Sequence, residues 1–173
     1  MRKTFFIAVA AAALIGATAL PASATPPYDT VATFTLSAGA LTYSVAQTVA
    51  LGNHATGYTN ISGSLGSVSV TDARGGILAW NASATSTAFT GALVSLPSSS
   101  TAVSYTSGSV DTTGTITVPA GSATTLTDSS AVVVSSSGVS GNNTASWDPT
   151  LTVTMPAEAK ADTYRGTVTT SVI

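Results

Sequence analysis

Apolar and polar residues alternate with a period of two along most of this chain, and no stretch beyond the first twenty residues keeps a helical period. Residues 31–36 put Ala32, Phe34 and Leu36 on one face and threonines on the other. After Ser37-Ala38-Gly39, the run of Leu41, Tyr43 and Val45 repeats the alternation, so the two runs predict a hairpin. Further strands are predicted at 48–51, 65–70, 77–84, 102–106, 115–118, 131–134, 151–155 and 164–172, the penultimate one ended by Pro156. The polar stretch at 52–63, the serine run at 98–100 and the segment SSSGVSGNN at 135–143 read as loops. About ten short Val- and Thr-rich strands at this spacing predict an all-β fold, an antiparallel β-sandwich of immunoglobulin-like or Greek-key type.

The one segment outside this pattern is at the start. Arg2 and Lys3, the apolar run at 5–20 and Ala22-Ser23-Ala24 read as a secretory signal cleaved after residue 24. The remaining residues, 25–173, are then one domain, secreted or extracellular and without membrane insertion after cleavage. Arg2 and Lys3 leave with the signal, which takes the Lys and Arg total from 5 to 3 against 7 acidic residues, a net charge near −4. A nucleic-acid partner needs a basic face, so the charge argues against one. With no cysteine, the domain must be held by its core, thiol chemistry is excluded, and an N-terminal lipid anchor on cysteine is ruled out.

Candidate chemistry is sparse. A nucleophile needs an activating base, and the single histidine, His54, lies in a polar loop. Paired carboxylates would be needed for glycoside hydrolysis, and a pairing such as Asp72 with Asp148 has no support from its neighbours. Zinc finds too few ligands, and no spaced acidic pattern marks a calcium loop. No cofactor or metal is expected, and the chain reads as non-enzymatic. What stands out is 65–89, LGSVSVTDARGGILAWNASATSTAF, read as strand, sharp turn and strand. Asp72 and Arg74 at i and i+2 form an ion pair bracing the turn before Gly75-Gly76; they also form, with Trp80, a candidate binding edge. Trp80 is assigned to the core because Leu78 and Ala82 share its face, whereas Trp147, between a polar loop and Asp148-Pro149, is placed at a rim.

VTDARGGILAWNASATSTAF resembles the first motif region of WxL-type surface domains, where a strand, an Asp-x-Arg turn and a tryptophan strand precede a Phe. TLTVTMPAEAKADTYRGTVTTSV resembles that family's closing strands, with Tyr164 and Gly166 at the matching Tyr-x-Gly-Thr, and ALTYSVAQTVALG is compatible. Asn81-Ala82 follows Trp80 and no second tryptophan motif stands in the closing strand, which makes this a divergent relative. The resemblance implies a secreted β-sandwich held non-covalently on the cell wall, with peptidoglycan as ligand and Asp72, Arg74, Trp80 and Tyr164 at motif positions; Trp147 lies outside the motif. Two other readings stay open: a structural or adhesive subunit assembling through strand edges with itself or another surface protein, and, least supported, a glycan hydrolase.

Overall fold

Threonine and valine build the strands because their β-branched side chains suit an extended, half-buried backbone. The computed structural model describes residues 31–92, 95–96 and 102–173. The secretory signal, Pro97 and the serine run at 98–100 lie outside them. Contacts divide the chain into units 1–35 and 36–173. In the first, residues 31–35 carry no strand. The second is all-β, and every strand pairing in it is antiparallel.

One four-stranded sheet contains β1 (Leu41–Ser44), β3 (Val68–Asp72), β11 (Ser137–Trp147) and β8 (Asp111–Thr117), in the order β1-β3-β11-β8. A second contains β2 (Asn60–Ser64), β12 (Thr150–Thr154), β7 (Val103–Thr106) and β9 (Thr124–Leu126), in the order β2-β12-β7-β9. A three-stranded sheet sets β4 (Asn81–Ser86) between β10 (Ala131–Ser135) and β13 (Val168–Val172), and a short ribbon pairs β5 (Phe89–Thr90) with β6 (Ser95–Leu96). Together they form a β-sandwich, not a closed barrel.

Register decides what the core contains. Val68, Val70 and Asp72 of β3 lie opposite Trp147, Ala145 and Asn143 of β11, and all six are buried. From the second large sheet, Leu151 pairs with Tyr105 and Val153 with Val103, and these four are buried too. Trp80, Ala82 and Ala84 join the same core. Burying side chains of this size is worth about 1.5–3 kcal/mol each, enough to hold a domain without disulfides.

Several expectations are corrected. The predicted hairpin of 31–36 with 41–45 does not form: β1 pairs with β3 instead, and Phe34 is exposed. Residues 48–51 form no strand. The segment 135–143, read as a loop, lies largely within β11, the longest strand. Its glycines serve bulges: from Ser140 to Thr144 β11 advances four residues while β8 advances two, Thr115 to Thr113. Gly114 lies in that step at φ 87°, and a Cβ there would come 2.6 Å from the Asn142 carbonyl oxygen. The turn after Asp72 joins two strands as read, β3 and β4, but carries the chain from one sheet to another.

Candidate functional site

Asp72 ends β3 with its side chain pointing inward, where a carboxylate is costly unless paired. The chain meets that cost locally. Arg74 donates Nε to Oδ1 and Nη2 to Oδ2, each at 2.9 Å, and its backbone N–H donates to Oδ1 at 3.0 Å. This bidentate pair holds the Asp72 carboxyl below its ordinary pKa, burial opposing the shift and Asn143 adding to it, and it raises the Arg74 guanidinium. Asp72 is 2% exposed and Arg74 27%, so the predicted ion pair is half-sunk in the protein.

From Asp72 the network runs inward. Asn143, its register partner, accepts the Trp80 indole N–H on Oδ1 at 3.3 Å and donates Nδ2 to the Gly141 carbonyl. Trp80 stacks on Trp147, ring centroids 6.5 Å apart and planes 11° from parallel. Trp147 in turn donates its indole N–H to the Tyr105 hydroxyl at 2.8 Å, and burial raises the Tyr105 pKa against that bond. Ser136 fastens the backbone of Trp80, its Oγ accepting the Trp80 N–H at 2.7 Å and donating to the Trp80 carbonyl at 2.9 Å. A continuous spine therefore runs Arg74, Asp72, Asn143, Trp80, Trp147, Tyr105.

The spine brings together four of the five residues singled out from sequence. Trp80 lies in the core as expected, although Leu78, assigned to the same face, is 64% exposed because residues 77–80 precede the strand. Trp147 is not at a rim but buried, since it faces inward across from Val68. Tyr164 stands apart, half-buried, its hydroxyl donating to the Lys160 carbonyl at 2.9 Å. Asn143, Tyr105 and Ser136 were not singled out. The Val103/Tyr105 alternation pointed to the tyrosine, but Asn143 looked like one more loop asparagine.

With both indoles closed off, neither tryptophan offers a face to a sugar ring. Open polar surface lies elsewhere. A cleft of about 200 Å³ at the end of β11 is lined by Asp111, Asp148 and Ser67, Ser107, Ser109 and Ser146, with Trp147 at its wall. A wider one of about 410 Å³ is lined by Thr87, Thr90, Arg165 and Thr167. The first offers carboxylates and hydroxyls that accept hydrogen bonds from a polyol; the second offers a guanidinium and hydroxyls.

The catalytic pairing weighed from the sequence, Asp72 with Asp148, gains no geometry. Asp72 lies opposite Asn143 and Asp148 follows the end of β11 five residues on, which spaces their backbone positions by roughly 17 Å along the strand, beyond the reach of a glycosidase pair. His54 Nε2 is 3.0 Å from the Leu51 carbonyl oxygen and its ring tilts against Tyr58. Among the described residues no group of three or more His, Asp or Glu side chains is placed to hold a metal ion. No protein-family model matches the chain, and no curated protein or solved structure matches it either.

Proposed function

We propose that this chain is an exported, non-catalytic surface domain that associates non-covalently with the cell wall, as a divergent relative of WxL-type domains with peptidoglycan as its ligand. The observation that carries the reading is the Asp-x-Arg turn, in which Asp72 and Arg74 close a bidentate pair and Asn143, opposite Asp72, accepts the Trp80 indole N–H. The resemblance rests on these same residues, and their burial gives the motif a fold-keeping role. Glycan contact then falls to the exposed polar cleft beside Trp147, where Asp111 and Asp148 accept sugar hydroxyls.

Co-sedimentation of the purified protein with peptidoglycan sacculi tests this. Saturable binding that weakens in Asp111→Asn and Asp148→Asn, with thermal stability retained, supports both the ligand and the cleft. Binding unchanged in these variants removes the cleft from the account, and a wild-type protein that stays in the supernatant removes wall binding itself. A second reading, a structural subunit assembling through strand edges, is supported by residues 31–36, whose strand pattern finds no strand partner among the described residues.

A further inference from the structure

Each sheet edge leaves a row of backbone N–H and C=O groups without a strand partner, and proteins usually blunt such edges. The edges here differ in protection. The Tyr43 hydroxyl of β1 donates across to the Thr170 carbonyl of β13 at 2.7 Å. β8 is broken by Gly114, where its register with β11 shifts; β10 is bulged between Val132 and Val134; β9 is three residues long.

β2 has none of these devices. It pairs with β12 residue for residue from Asn60 to Ser64, without a shift. The Leu65 N–H on the Pro149 carbonyl and the Met155 N–H on the Thr59 carbonyl set the phase of this ladder. Ile61 and Gly63 therefore bond to β12, while Asn60, Ser62 and Ser64 direct their backbone groups away from the sheet. Apolar side chains nearby are incompletely covered: Val49, beside Gly66, is 43% exposed and Tyr58 is 58% exposed, while Ile61 and Leu65 are half-buried.

The same chain carries a strand pattern without a sheet. Residues 31–36, Val-Ala-Thr-Phe-Thr-Leu, alternate as a half-buried strand should, yet Val31, Phe34 and Leu36 are 85%, 86% and 88% exposed. From residue 30 to residue 71 there is no Asp, Glu, Lys or Arg. Neither the arm nor the β2 edge therefore places a charge opposite the other in any register.

We propose that residues 31–36 of one copy add as an edge strand to β2 of a second copy, covering Ile61 and Tyr58 with Phe34 and Leu36. Reciprocal exchange closes a two-fold dimer, and one-way addition builds a chain of subunits. The proposal deepens the strand-edge reading and is independent of wall binding.

The lack of cysteine makes the test clean. Protein carrying Thr33→Cys is mixed with protein carrying Ser62→Cys and treated with a short bismaleimide. The expected result is a cross-linked heterodimer, absent when Thr33→Cys is mixed with a Thr113→Cys protein labelled on β8, and lost when Phe34→Asp is added to the arm. Light scattering on wild type and Phe34→Asp, with folding checked by circular dichroism, separates the levels of the argument. Self-association that survives Phe34→Asp overturns the arm and leaves edge assembly standing; a monomer at every concentration overturns both. Cross-linking only within a single chain that carries both cysteines also overturns the proposal, by placing the arm on its own β2.

Discussion

Replacing Asp72 with Asn tests whether the turn motif keeps the fold. The substitution preserves shape but exchanges one carboxylate oxygen for an NH₂ group, which faces the Arg74 donors and cannot accept from them. One charge-assisted hydrogen bond, worth about 1.5–3 kcal/mol, is lost and the others lose their anionic acceptor. Arg74 keeps contact with water, so the cost stays below the roughly 3–5 kcal/mol of breaking a fully buried pair. A loss of about 2–3 kcal/mol at neutral pH follows, which in a domain of this size lowers Tm by roughly 6–10 °C.

The pH dependence makes the prediction sharper. The folded Asp72 carboxyl titrates below its ordinary 3.8, so its contribution is complete above the unfolded pKa and fades as pH falls through the folded value. Differential scanning calorimetry of wild type and Asp72→Asn from pH 7 to pH 2.5 should show a wide Tm gap that narrows below about pH 4. A gap of under about 2 °C at pH 7, or one that does not change with pH, would sink the argument that this pair braces the core.

Other parts of the spine make separate predictions. Tyr105→Phe leaves the buried Trp147 indole N–H without its acceptor and should cost about 1–3 kcal/mol in urea unfolding, with a shift in tryptophan fluorescence. Because burial raises the Tyr105 pKa, the wild-type domain should also lose stability as pH rises past about 10, and Tyr105→Phe should lose less. Ser136→Ala removes both side-chain bonds to the Trp80 backbone, leaving the Ser136 N–H on the Trp80 carbonyl, and should cost about 1–3 kcal/mol by the same measurement. Gly114→Ala meets both a positive φ and the Asn142 carbonyl, so it should destabilise by about 1–3 kcal/mol, and Thr113→Ala in the same strand by less than about 0.5.

How far the sequence could be read follows from which signal each element carries. β7 and β12 were legible because one face is buried and apolar, so Val103/Tyr105 and Leu151/Val153 alternate cleanly, and β10 was legible as an apolar run whose bulge buries both Val133 and Val134. β11 was hidden because its inward positions include Asn143 and its bulges take glycines, and both read as loop signals although the strand is central to its sheet. Residues 31–36 show the opposite case, a clean alternation with no strand pairing among the described residues. The Asp72–Arg74 pair was legible from its i, i+2 spacing. Its burial was not, because burial depends on β11 lying beside β3, a contact between residues some seventy positions apart in sequence.

That burial redirects the search for function. In a chain with few aromatics, a stacked tryptophan pair invites a sugar-binding reading, but the Trp80 and Trp147 rings already stack on each other and both indole N–H groups are taken. Removing the Trp80 indole would act on the proposed binding through the fold, and removing the Trp147 indole would change both the fold and a wall of the cleft, so loss of binding in such variants does not isolate the site. Surface positions carry the information instead. Asp111 and Asp148 report on the cleft, and Phe34 and Ser62 on the arm and its edge, and none of the four belongs to the spine. A Phe34→Asp variant that still binds sacculi, together with an Asp148→Asn variant that still self-associates, would show that the two properties rest on separate residues of one chain.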